Sequence, residues 1–219
     1  MQRMTKLDEI ALNIELVLIS IIEGVALTNL AEVSEPVMHN TAAWPYIPFV
    51  LAGLAILLVF WSQAILHAIS FIRWPLRMEH MLLYFVAVFI QIVAYNTMSD
   101  LAGWFFWWSL FSLLTMVIYG IDLRVIRDMR IHFSGKKGGT EFISEIERRH
   151  LTEMKYLVPI AVAFNIIACA LAAFDPSLFS SPYAYAGIGA LQLIITLGAL
   201  VDCVRNFRSR SRMIPALHE

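Results

Sequence analysis

Charge is scarce in this chain. Asp, Glu, Lys and Arg together make up 15% of its 219 residues, while hydrophobic residues make up 59% and the mean hydropathy is +0.71. Ordinary soluble domains are roughly 45–50% apolar, so this composition indicates a membrane protein. Cysteine is nearly absent: Cys169 and Cys203 are the two, too few for a disulfide framework or a thiolate zinc site, and they read as small packing residues. Catalytic signatures are missing too. There is no H-E-x-x-H, no Ser-His-Asp set at one depth, and the stretch SGKKGG lacks both the spacing and the preceding strand of a phosphate-binding loop. No enzyme, cofactor or metal is therefore expected, and nothing points to direct nucleic-acid binding.

What the chain has is long apolar runs. A helix needs about 20 apolar residues to cross a hydrocarbon core of about 30 Å, and six runs qualify, at about 11–31, 46–72, 79–98, 102–123, 156–174 and 183–204. The expected architecture is all-α: one polytopic six-helix membrane domain over 1–219, with a polar connection at 124–155 and a basic tail at 205–219. The first run is too long for a signal peptide and lacks a small-residue cleavage pattern.

Positive charge is absent from every second connection. EVSEPVMHNTAAWP, NTMSD and FDPSLFSSP contain no Lys or Arg; all 16 fall at the N-terminus, around Arg73 and Arg77, in 124–155, or after helix six. Basic loops stay cytoplasmic during insertion, so both termini are expected in the cytoplasm, in a membrane read as a bacterial inner membrane. Trp44, Tyr46, Trp104, Trp107, Trp108, Tyr183 and Tyr185 lie toward the opposite boundary, where amphipathic rings prefer the headgroup level. Pro159 alone interrupts a run and should bend helix five near its start.

The connection after Asp122 reads as an extension of helix four through RVIRDMRIHF, a hinge at SGKKGG, and a new helix, TEFISEIERRHLTEMKYL, leading into helix five. Ile143, Ile146, His150, Met154 and Leu157 recur at helical spacing, with Glu145 and Arg149 paired on a polar side. This amphipathic cytoplasmic helix would present its basic residues to anionic lipid or a partner protein. Arg127, Arg130, Lys136, Lys137, Arg148, Arg149, Arg208, Arg210 and Arg212 are the contact candidates.

Polar residues inside the spans are costly unless they face protein or water, and here they align. Helix one carries Asn13, Ser20 and Gly24 with Glu23 and Thr28 alongside; helix four carries Ser112, Thr115, Tyr119 and Asp122; helix six carries Gln192 and Thr196. At about 1.5 Å per residue, Glu23, Gln91 and Gln192 all lie roughly 18 Å from the basic ends of their helices. An inner layer contains Glu15, His67, His80, Asp122 and Asp202. Interhelical hydrogen bonding accounts for much of this polarity, and ligation of haem or metal by His67 and His80 is the weakest of the readings.

Glu23 stands apart, because no Arg or Lys shares its level. Either it carries a proton, or it accepts hydrogen bonds from Gln91 or Gln192, or it faces water as part of a pathway whose lining would be Glu23, Ser20, Asn13, Thr28, Gln91 and Gln192. The expected function is a homo-oligomeric channel or pore for cations or protons. The alternative is a membrane anchor or effector subunit whose basic surface binds a protein or anionic lipid. Glu23-Gly24 in the first of six helices resembles the bacterial relatives of the lysosomal potassium channel, whose first helix carries Arg, then Phe-Ser-Asp and Gly or Ala. Ile21 and Ile22 stand here in place of Phe-Ser, without an upstream Arg in register, so selectivity and gating are not carried over. Size and layout are also similar to small membrane effectors of bacterial antiviral systems.

Overall fold

The computed structural model describes residues 6–70, 78–133 and 139–213; within these, the side chains of 6–12, 15, 67–70, 78–80, 129, 131–133 and 209–213 are left undescribed. The elements are α1 (Lys6–His39), a 3-10 turn (Thr41–Tyr46), α2 (Ile47–Ser70), α3 (Met78–Asn96), α4 (Leu101–Phe133), α5 (Gly139–Thr152), a π turn (Glu153–Leu157), α6 (Val158–Phe174), a 3-10 turn (Pro176–Phe179) and α7 (Pro182–Met213). No strand occurs among the described residues. Five stretches are long and apolar enough to cross a membrane: Leu16–His39, Thr41–Leu66, Leu101–Asp128, Gly139–Phe174 and Pro182–Arg208. The described residues are all-helical, and five helices of this length and apolarity suit an integral membrane protein. The expected third span is a shorter apolar helix, Met81–Asn96, so five of the six runs meet the length criterion.

Several boundaries differ from those expected. α1 continues to His39 instead of ending near 31, with Pro36 inside it; the proline lies in the last turn, where one lost N–H interrupts little of the ladder. α4 has 33 residues, about 50 Å at 1.5 Å per residue, and so projects well beyond a hydrocarbon core. α5 begins at Gly139, and Ser144 Oγ bonds back to Thr140 O within it. The bend expected at Pro159 is a π turn: the Val158 N–H reaches Glu153 O, five residues back. Pro159 cannot donate and its ring crowds the carbonyl four residues earlier, so the turn before it widens.

The helices pack as a ring in the order α1, α2, α7, α6, α4, α3, closing where α3 meets α1. α6 and α7 touch only sparsely. α5 folds back along α4, burying Phe142, Ile143 and Ile146 against Leu123 and Ile126. Its apolar stripe is therefore covered by the chain itself.

The half of the ring near the α3–α4 turn is filled with aromatic side chains. Phe49 meets Trp104 edge-on at 5.5 Å, Trp104 meets Trp108 at 5.5 Å, and Trp108 meets Tyr95 at 5.8 Å and Phe111 at 5.3 Å. Trp104 and Trp108, expected at the headgroup boundary, are core residues, 0% and 1% exposed. The two lie four apart on α4 and so share its inner side. Trp44 and Tyr183 do occupy an exposed rim, 5.4 Å apart. Close approach of α2 and α7 depends on Gly189, where a Cβ would come within 2.6 Å of the Phe49 ring.

Candidate functional site: a cavity between two buried polar clusters

Midway along the ring, polar side chains from three helices form a chain of hydrogen bonds. Trp104 Nε1 donates to Gln192 Oε1 (2.7 Å), Gln192 Nε2 donates to Asn165 Oδ1 (3.2 Å), and Asn165 Nδ2 donates to Ser112 Oγ (3.3 Å). This cluster ties α4, α6 and α7 together, each amide being satisfied by the next. Ser112, Thr115 and Thr196 each direct a hydroxyl proton to the carbonyl four residues back.

A second cluster lies at the basic end, where α4, α5, the π turn and α7 converge. The Tyr119 hydroxyl donates to Glu153 Oε2 (2.6 Å), and Asn206 Nδ2 donates to Glu153 Oε1 (2.5 Å) and to Asp202 Oδ2 (3.3 Å). Arg149 hydrogen-bonds both Asn206 and Glu145. The His150 ring stacks on Tyr119 at 4.2 Å, with its Nε2 3.2 Å from Tyr119 O and 3.6 Å from Asp122 Oδ2. Tyr119, Asp122, His150, Glu153 and Asn206 are all buried. Carboxylates survive burial when such donors surround them. The π turn starts at Glu153 itself, shifting that side chain relative to a regular helix and aiming it at Tyr119 and Asn206.

Between the clusters lies a cavity of about 160 Å³. Its walls are largely apolar, with Phe60, Phe111 and Phe164 among them; Ser112, Asn165 and Gln192 line one end and Tyr119, Asp122 and His150 the other. Gln63, Thr115 and Thr196 also line it.

Glu23 occupies a different position. Its side chain is 4% exposed and faces into the bundle, and neither carboxylate oxygen has a hydrogen-bond partner among the described residues. Gln91 Oε1 accepts from Tyr95 and Gln192 is bonded to Trp104 and Asn165, so neither glutamine serves Glu23. Gln91 Nε2 and Trp108 Nε1 are likewise buried without partners. Glu23 does not line the cavity. Asn13, Ser20 and Thr28 are on the exposed side of α1, where Ser20 and Thr28 bond to their own helix backbone. The six pathway candidates therefore do not share one space.

Of the inner-layer candidates, Asp122 and Asp202 belong to the basic-end cluster, while the side chains of Glu15, His67 and His80 lie outside those described. Among the described residues no group of His, Cys, Asp or Glu could hold a metal ion. Arg127, Arg130, Arg148 and Arg208 are exposed and Arg149 is half-buried; Lys136 and Lys137, and the side chains of Arg210 and Arg212, fall outside the description. Glu153 and Asn206 were not legible as site residues. The signal available was spacing for one of them: Asn206 falls four after the candidate Asp202 and so shares its face, whereas Glu153 falls three after His150, which the sequence places only on an apolar stripe.

No family model, curated protein or solved structure matches this chain.

Proposed function

We propose that the protein is a proton- or cation-conducting membrane protein whose route within each subunit is the internal cavity. The observation that supports this reading is the cavity itself, joining a buried amide and hydroxyl cluster to a buried cluster of Tyr119, Asp122, His150 and Glu153. Ionisable side chains inside a membrane bundle are expensive and commonly mark ion or proton pathways. In this reading α3 is the sixth span, the basic ends face the cytoplasm by the positive-inside rule, and the membrane is a bacterial inner membrane. Subunits would associate through the outward side of α1, where a Cβ at Gly24 would meet nothing within 4 Å.

Proton and potassium flux into liposomes tests this reading. Asp122→Asn should reduce flux at least tenfold while the protein stays folded. Glu23→Gln separates the two conceivable routes: unchanged flux supports the cavity, and altered selectivity supports a pathway past α1. A wild-type protein that passes neither ion overturns the proposal.

The exposed Arg127, Arg130, Arg148 and Arg208 favour a second reading, that of an anchor or effector subunit binding a protein or anionic lipid. It predicts no flux, and salt-sensitive capture of the reconstituted protein by vesicles rich in anionic lipid.

A further inference from the structure

The cavity has a chemistry that selects a ligand whether or not ions pass through it. Its volume, about 160 Å³, is close to that of engineered apolar protein cavities of about 150 Å³ that accept a single benzene ring. The aromatic walls are already arranged edge-on to one another: Phe60 meets Phe111 at 5.5 Å and 65°, and Trp108 meets Phe111 at 5.3 Å and 80°. A planar ring inserted among them can continue that geometry.

The polar groups narrow the choice further. A hydroxyl has one proton and two lone pairs, and Ser112, Thr115 and Thr196 each direct that proton to a backbone carbonyl of their own helix. What these three hydroxyls can offer a ligand is therefore lone pairs, one of those on Ser112 already taken by Asn165, and the Gln63 amide adds a carbonyl that can also accept, so a ligand matched to them brings a donor. Asp122 and His150 at the basic end of the cavity are both buried and lie 3.6 Å apart, so they face each other rather than offering a lone charge to an ion. The mainly apolar lining disfavours a permanent charge of either sign. The sparse contact between α6 and α7 provides a lateral way in from the bilayer, where such molecules concentrate.

We infer that the cavity between α2, α4, α6 and α7 is a binding site for a small neutral single-ring molecule carrying one hydrogen-bond donor, of the phenol class. The test is fluorine NMR of 4-fluorophenol with the full-length protein in lipid nanodiscs, comparing the signal before and after excess unlabelled phenol. Partition into lipid is not displaced, whereas a protein site gives a displaceable, saturable resonance. We expect such a resonance for wild type, weakened at least tenfold by Ala161→Phe, whose ring would occupy the cavity. Ala199→Leu adds bulk to the cavity from the neighbouring helix α7 and serves the same purpose if Ala161→Phe does not fold. 4-Fluorotoluene, which has no donor, should bind about fivefold more weakly, the loss of one net hydrogen bond. No displaceable resonance, or one unaffected by filling the cavity, overturns the site; equal binding of the toluene, or tighter binding of 4-fluorobenzoate, overturns the donor class. None of these readouts depends on flux, so the site can stand if conduction fails.

Discussion

The two halves of the bundle solve the same problem in opposite ways. Near the α3–α4 turn, the space inside the ring is filled by Phe49, Tyr95, Trp104, Phe105 and Trp108, all buried. Toward the basic end the same ring encloses a cavity of about 160 Å³ with ionisable side chains at its floor. In lipid, apolar surface gains little by leaving one hydrocarbon environment for another, so helix association relies on van der Waals contact and hydrogen bonding. The filled half supplies the contact. The hollow half forfeits it and is held instead by a network centred on Glu153, which receives hydrogen bonds from α4 and α7 at once. The aromatic half thus fixes the helices by contact, and the polar half by hydrogen bonds that leave room between them.

Substitutions can break that comparison. Trp104→Ala should have the largest effect, lowering stability by about 3–5 kcal/mol, because it opens a void in the filled half and removes the donor to Gln192 Oε1; thermal unfolding in detergent measures it. Tyr119→Phe probes the network of the hollow half. It leaves Glu153 Oε2 without its phenol donor, and should cost about 1.5–3 kcal/mol, the range for a hydrogen bond to a charged group.

A matched pair sharpens the contrast directly. Ala52→Leu introduces bulk where the alanine is 0% exposed and should destabilise by about 1–3 kcal/mol through overpacking. Ala199→Leu makes the same chemical change at the cavity wall and should stay within about 1 kcal/mol of wild type, since the added methyl groups enter existing space. Equal losses at the two sites would show that the halves do not differ in packing. The smallest effect is expected at the surface: Arg148→Ala removes an ion pair to Glu145 of 2.7 Å in which the Arg side chain is 68% exposed. It should change stability by less than about 0.5 kcal/mol, because solvent screens such pairs.

Much of the helical framework was readable from composition and period. The apolar runs, the helical restart near 140 and a disturbed ladder ahead of Pro159 follow from local chemistry, because bilayer thickness fixes the length of a span and proline fixes where a ladder must yield. That Gln192 lies deep in its helix was also legible, since rise per residue converts position into depth, but its partners, Asn165 and through it Ser112, were not. Their hydrogen bonds to one another rest on which helices are neighbours, and depth does not specify that.

The sequence by itself determined that this is a helical membrane protein with positive charge confined to one set of connections, because hydropathy and charge act residue by residue. Only the tertiary structure decided which polar residues meet. Glu23, the most conspicuous residue in the sequence, is buried without lining the cavity, whereas His150, placed on an apolar stripe by its spacing, stacks on Tyr119 beside Asp122. Trp104 and Trp108 are core residues rather than rim residues for the same reason. Helical periodicity gives each side chain a face, but the neighbour that face meets follows from the order of helices around the ring and from the fold of α5 back along α4, both of which arise from packing between segments distant in sequence.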